Sequence, residues 1–440
     1  MSARTHSMRT WRENIDLEKT GQDMYALARD LFPICRSITG DGNRKTLERL
    51  SKLIAIDVHE IPSGTKVFDW EIPQEWQIRE AWIKNPSGTK VVDFAKNNLH
   101  VVSYSQPVHR KISRKELDLH LHSLPDRPEW IPYRTSYYES AWGFCLPHQL
   151  RASLPEGDYE VFIDSVLKPG SLTYGEIFLP GQTEEEFLFS IHICHPSLAN
   201  DNVSGMVVGA HLARLLGNMD RRYSYRIIFI PGTIGSITWL AMQGEKRSRI
   251  RNGLVLANLG DAGGFTYKKT RAGDSLIDRY VSFALGRRSH TVKEFHPYGY
   301  DERQFGSPGI NLPVGLLMRS SFGAFPEYHT SADNLDFIRP SHLAESLDAI
   351  FDIIEIAEGD ERLMNTNPCC EPQLGRRGLY ENMGGSNERH ERQMAMLWVL
   401  NQSDGHHSLL DITERSGLSF KIIRDAADRL IEKDLLAKGN

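Results

Sequence analysis

Phe187-Leu188-Phe189-Ser190-Ile191-His192-Ile193-Cys194-His195-Pro196-Ser197-Leu198-Ala199-Asn200-Asp201-Asn202-Val203-Ser204-Gly205 is the stretch on which the fold turns. It opens after the acidic turn Glu184-Glu185-Glu186 with a nearly continuous apolar run. That is the pattern of a strand covered on both faces, not of one that alternates between core and water. Imidazole and carboxylate side chains gather where the run stops, and a helix is expected from Ser204 to about Leu216. A buried strand, a polar turn and a helix make one unit of an α/β sheet.

The unit recurs. Tyr225 to Ile230 ends at Pro231-Gly232, with a helix starting near Ser236, and Leu254 to Leu259 is a third buried run. Strands alternating with helices predict an α/β fold with a doubly wound mixed sheet. Upstream, Tyr159 to Val166 and Leu172 to Leu179 alternate in polarity about Pro169-Gly170 and read as a hairpin. Thr20 to Leu53 carries apolar residues at helical spacing, broken at Pro33 and at Gly40-Asp41-Gly42, which predicts two helices. From Val58 to about Asp158, short Trp-, Pro- and Gly-rich runs predict a small β-rich inserted domain.

After Asn334 a helix over Leu343 to Ala357 closes the core, and Glu358 to Asn387 reads as a linker. The tail reads as helices at Arg392 to Leu400, Leu409 to Ser416 and Ser419 to Lys433, with a turn at Gly417, which is winged-helix spacing. The expected domains are a core at 18–60 and 161–360, an insert at 61–160 and a winged helix at 385–440.

Composition narrows the partners. The formal charge is −5 over 440 residues, too weak a field to recruit nucleic acid or an anionic membrane. In the tail, Arg415, Lys421, Arg424, Arg429, Lys433 and Lys438 are offset by Asp411, Glu414, Asp425, Asp428, Glu432 and Asp434, so counterion release would contribute little. That domain is expected to pack on its own chain or a symmetry mate, giving a homo-oligomer. Five cysteines, odd in number and without a CxxC pair, fit a reducing cytoplasm. No apolar run approaches the ~20 residues that cross a bilayer, and the first dozen residues read as a loose terminus.

His195 and Asp201 follow the first buried run, Asp261 follows the third, and His329 sits in the polar loop Glu327-Tyr328-His329-Thr330. In open α/β sheets ligands bind beyond the carboxyl ends of strands. Imidazole and carboxylate are donors suited to zinc or a similar divalent ion. Each of the four taken alone is commonly a cap or a turn residue, and Asp201 could cap the following helix as well as bind a metal. His192 is an alternative ligand, but in an extended strand it would face away from His195. By the same alternation Cys194 and His195 should not meet.

This order of strand-His, Asp-Asn-x-Ser-Gly, strand-Gly-Asp and late Tyr-His-Thr resembles the cocatalytic-zinc aminopeptidases. Nearly the whole chain resembles a branch of that family with an inserted small domain and a C-terminal winged helix. The carrying segments are Phe32 to Gly40, Tyr137-Tyr138 with Trp142 to Cys145, Cys194 to Asn202, Tyr300 to Gln304 and Glu327 to Thr330. The resemblance implies zinc held by His195, Asp201, Asp261 and His329, and a small amide or peptide as substrate, in natural-product or polysaccharide metabolism. Where those enzymes place their glutamates, this chain has Pro231-Gly232-Thr233, with no carboxylate. One ion is therefore favoured over two, and the base must come from Glu302, Asp301 or Glu327, unless the protein binds an amino-acid-bearing ligand or partner without turnover. Gly232→Glu is the probe of this: activity created by that change and absent from the parent would mean that the native protein is not an ordinary peptidase. Arg36, Tyr137, Tyr138 and Tyr328 are the candidate substrate-binding residues.

Overall fold

The computed structural model describes Arg12, residues 15–379 and residues 387–438, the side chains of 387–389 excepted. Apart from Arg12, the first dozen residues expected to be loose lie outside these. The chain forms two compact units. One holds Asp16–Asn218 with Tyr223–Ala349, and the other includes Met219–Arg222 and the chain from Ile350 onward.

The first unit is built on an eight-stranded sheet. Its strands are β1 (Asp57–Pro62), β2 (Ser171–Leu179), β3 (Glu186–His192), β4 (Ser224–Ile230), β5 (Ile250–Leu256), β6 (Phe265–Lys268), β7 (His290–Lys293) and β8 (Val314–Met318). They lie in the order β1-β2-β4-β3-β5-β8-β6-β7. The central β4-β3-β5-β8 block is parallel, whereas β2 on β4, β1 on β2 and β6 on β8 are antiparallel. The sheet is mixed, as the alternation of strands and helices predicts.

Every residue of β3 is buried, as its continuous apolar pattern requires. The helix Gly205–Gly217 packs directly against it. A Cβ at Gly209 would stand 2.7 Å from Ile191 Cδ1, so the helix can approach this closely only where the side chain is missing. From β3 the chain moves to β4 on one side and then crosses to β5 on the other. The loops therefore diverge at the carboxyl end of β3, which leaves a crevice there.

A second sheet of four strands, Glu75–Lys84, Lys90–Asp93, Val108–Ser113 and Asp158–Lys168, forms the inserted β-rich part. It has its own apolar core, which includes Ala81, Ile83, Leu117, Phe144 and Val161. The expected hairpin about Pro169-Gly170 is not formed. Asp158–Lys168 pairs with Glu75–Lys84 and Val108–Ser113, while β2 pairs with β1 and β4. Two alternating runs around a turn look alike in sequence whether they pair with each other or with strands elsewhere.

Glu75 ties this hand-over between sheets. Its carboxylate accepts from the Arg44 guanidinium at 2.7 Å and from the Ser171 N–H at 3.0 Å. The Arg44 hydrogen bond, helped by Ser171 and Gln77, outweighs burial and holds Glu75 down at about 2. A depressed carboxylate pKa stabilises the fold above the unfolded-state value and loses that contribution as pH falls toward the folded one. Glu75→Gln is therefore expected to cost about 2 kcal/mol at pH 7, discounted for the partial exposure of Arg44. The deficit should shrink from about pH 4.5 downward, as read by urea unfolding at stepped pH.

The second unit carries helices Asn387–Gln402, Leu409–Ser416 and Phe420–Ile431. Ser408 and Ser419 cap the last two through the N–H groups of Asp411 and Ile422, and Gly417 ends the middle one in a left-handed conformation. The expected linker is partly a strand. Arg362–Asn365 pairs with both Asp404–Ser408 and Leu436–Lys438 to form a three-stranded antiparallel sheet. Four residues are too few for a period-2 pattern to stand out. Among the described residues no helix is long and apolar enough to cross a membrane.

Candidate metal centre

The site is assembled at the carboxyl end of β3. The strand stops at His192, so the alternation of faces does not continue to His195. The two imidazoles come together with ring centres 4.9 Å apart, and both are buried. Asp201 arrives from the wide helical turn Ala199–Ser204 that follows. One of its carboxylate oxygens lies 2.8 Å from His192 Nε2, and the other lies 3.1 Å from His329 Nε2. Donor atoms of His192, His195 and Asp201 all fall within 4.8 Å of one another. His329, on the loop after β8, has its ring centre 5.2 Å from that of His195 and is a third exposed, so it forms the open side of the cluster.

Surrounding groups hold these donors in place. The Asp333 carboxylate accepts from the N–H groups of Asn200 and Asp201 at 2.6 and 3.0 Å, which anchors the turn. Arg36 is wholly buried, with Nε donating to the His195 carbonyl at 2.8 Å and Nη1 donating to the Leu31 carbonyl at 2.7 Å. It is thus a tie between a helix end and the His195 backbone. Tyr133, from the inserted part, sets its ring edge-on to both His195 and His329, at 5.2 and 5.1 Å. Its backbone N–H donates to the His329 carbonyl at 2.8 Å, and Pro132 bridges to Thr330. Insert and sheet loops therefore meet at the cluster.

The electrostatics suit a cation. Burial opposes the charge on Asp201, but His195, His192 and His329 together hold its carboxyl well below the usual carboxylate range. Burial pushes His195 well below the usual imidazole value, against the pull of Asp201, so the ring is neutral at physiological pH. Neutral imidazole and ionised carboxylate are the protonation states in which these groups ligate zinc. The donor set fits the ion.

The other expected residues are differently placed. Asp261 is buried with both oxygens occupied. Oδ1 accepts from Gly263 N and Ser320 Oγ, and Oδ2 accepts from Asn200 Nδ2 and Ser320 N. Glu302 is buried and paired with Lys268 Nζ at 2.7 Å, not with Arg303, and also accepts from Tyr300 N. Asp301 caps the helix Ile234–Gln243, accepting on Oδ1 from Thr233 N at 2.7 Å and from Ser236 Oγ at 3.0 Å, while its buried Oδ2 has no partner. Burial, only partly offset by the Thr233 N–H and the nearby His192, raises its carboxyl to about 6. Glu327 is half-buried beside the His329 loop. Tyr328 stacks on His329 at 3.9 Å, and the Tyr137 hydroxyl meets that of Tyr133 at 3.0 Å, whereas Tyr138 lies exposed against Trp70.

Cys194 does meet His195, at 3.5 Å, because the chain has left the strand. Its sulfur is buried, accepts from Gly232 N at 3.2 Å and lies 3.2 Å from the Tyr300 hydroxyl, and burial pushes the thiol up to about 12. The space beside Gly232 is filled. A Cβ there would stand 1.8 Å from the Tyr300 hydroxyl oxygen. Tyr133, Asp333 and the Tyr300 ring beside Gly232 do not stand out in the sequence. Tyr300 stands in a segment noted for other residues and Asp333 lies just beyond the His329 loop, but Tyr133 carries no local signal, because its role depends on where the insert folds back.

A profile of the family described as "Domain of unknown function (DUF4910)" matches residues 25–360, and a winged helix-turn-helix profile matches residues 361–438. Over 420 residues the chain is 49% identical to a Clostridium acetobutylicum protein provisionally named a polysaccharide biosynthesis protein with aminopeptidase-like domain, covering 95% of this chain and 96% of that one. A crystal structure from Clostridium acetobutylicum, of a protein provisionally named a peptidase, superposes with a TM-score of 0.93 at 47% identity, covering 99% of this chain and 100% of that one. A zinc aminopeptidase from Bacillus subtilis superposes with a TM-score of 0.56 at 15% identity, covering 77% of this chain and 95% of that one. The last likeness shows a shared fold.

Proposed function

Since the chain belongs to the DUF4910 family and has the zinc-aminopeptidase fold, we propose that it is a zinc-dependent hydrolase of a small amide or peptide. The observation that carries this reading is the convergence of His192 at the end of β3, His195 and Asp201 in the turn after it, and His329 on the loop after β8. No structural need of the sheet requires so many titratable groups there. These four residues would hold one zinc ion, with Asp261 outside the ligand set because its oxygens are already bonded within the protein. Zinc in such a site supplies Lewis-acid polarisation of a carbonyl and acidifies water. The name of the Clostridium acetobutylicum relative suggests polysaccharide biosynthesis as the setting.

For the base we choose Asp301. It is the one of the three expected acids that is wholly buried with a carboxyl oxygen lacking a partner, and it lies near His192. Glu302 is neutralised by Lys268. A base must be ionised to accept a proton, and Asp301 titrates at about 6. The kcat/KM is therefore expected to fall about tenfold per pH unit below that value. Asp301→Asn is expected to lower kcat by roughly 10²–10⁴-fold while leaving bound zinc at one per chain, as read by elemental analysis. Loss of zinc in that variant would move Asp301 from base to ligand.

One observation favours a second reading. Tyr300 occupies the space beside Gly232, the position at which the resemblance places a catalytic glutamate, so the protein would hold an amide ligand without cleaving it. Stoichiometric zinc with chelator-sensitive turnover of an anilide or dipeptide panel supports hydrolysis. Stoichiometric zinc with no turnover across that panel supports binding.

A further inference from the structure

We propose that the ligand carries no ammonium group next to the scissile carbonyl, so that the site takes an N-acyl amide with a neutral acyl portion and not the free N-terminus of a peptide. The inference rests on the amide-hydrolase reading and narrows its substrate class.

An ammonium beside a divalent cation needs a carboxylate to offset the repulsion between like charges. Apart from Glu327, half-buried on the His329 loop, the acids around the cluster are already committed. Asp333 is taken by the N–H groups of Asn200 and Asp201, Asp261 by Asn200, Gly263 and Ser320, and Glu302 by Lys268. Asp201 is shared between His192 and His329. Asp301 is wholly buried and, as the base, cannot neutralise an ammonium while also accepting a proton. The buried Arg36 guanidinium, one of its nitrogens without a partner, adds a further positive charge behind His195.

The open side is lined by rings instead. Tyr328 stacks on His329, Phe322 lies 6.0 Å from Tyr328 and 5.7 Å from Tyr300, and Tyr133 closes the flank formed by the insert. Such walls suit an apolar acyl group or the face of a sugar ring. In the reaction, water adds its oxygen to the acyl carbon and the C–N bond breaks; one water proton passes to the nitrogen, which leaves as the amine, and the other is released to solvent as the acyl part leaves as a carboxylate.

The test uses isosteric pairs on the zinc-loaded full chain. Alanine p-nitroanilide and propionyl p-nitroanilide differ only in the amino group, as do alanine hydroxamate and propionohydroxamate, whose binding is read by calorimetry. The expected result is at least tenfold higher kcat/KM for the propionyl anilide and at least tenfold tighter binding of propionohydroxamate. If neither anilide turns over but the hydroxamate preference holds, the hydrolase reading fails and this inference stands. Equal or better performance of the alanine compounds overturns it, as does failure of both hydroxamates to bind. An alanine preference that disappears in Glu327→Gln would identify Glu327 as the group holding the amine.

Discussion

Asp201→Ala is expected to release the metal and abolish turnover. Its two oxygens lie 2.8 and 3.1 Å from His192 and His329 and supply the one negative charge in the cluster. Without it, three imidazoles face one another with no anion, and the site loses its attraction for a divalent ion. Even residues that only support a ligand contribute about 10–100-fold in metal affinity, so loss of this carboxylate should exceed about 100-fold. The measurement is zinc content after dialysis, with a chelator competition to obtain the affinity. Asp201→Asn keeps the shape and removes the charge, so it should lose zinc as well while remaining folded by circular dichroism. Retention of one zinc per chain in both variants would place the ion elsewhere and remove the basis of the hydrolase proposal.

Gly232→Glu is expected to destabilise the protein severely and not to supply a missing catalytic group. The new Cβ would stand 1.8, 2.3 and 2.6 Å from the Oη, Cζ and Cε1 atoms of Tyr300. That ring has little room to retreat, because its hydroxyl meets Cys194, its face lies 4.2 Å from His192, and Phe322 backs it at 5.7 Å. Overpacking of this kind costs about 3 kcal/mol, and a carboxylate forced into a buried position adds to it. The urea midpoint should fall accordingly. In Gly232→Glu combined with Tyr300→Ala the deficit should shrink by more than half, since the three atoms nearest the new Cβ all belong to Tyr300. A single variant as stable as the parent would show that the ring moves freely, and the glutamate could then be tested for its effect on turnover.

The large architecture is legible in the sequence for a physical reason. Strands buried on both faces need continuous apolar runs, and β3, β4 and β5 announce themselves in that way. The helices betray themselves through period, cap residues and the Gly417 stop. Short elements fared worse. Arg362–Asn365 is too brief to show a pattern, and the partner of Asp158–Lys168 depends on Glu75–Lys84, far away in sequence. Local composition carries no information about such a pairing.

For the site, chemistry of residue type and placement at strand ends sufficed to nominate His195, Asp201 and His329, because donors of this kind concentrate where parallel strands end. Geometry had to settle the rest. The strand ends at His192 instead of running on, and that single backbone fact brings His195 against both His192 and Cys194, contrary to the expectation from alternation. Asp261 is consumed by Asn200, Gly263 and Ser320, Glu302 by Lys268, and the space at Gly232 by Tyr300. Whether a carboxylate is free or already bonded depends on neighbours brought in from 34 to 61 residues away. Linear order names the groups able to do the chemistry, and only folding assigns each of them a partner.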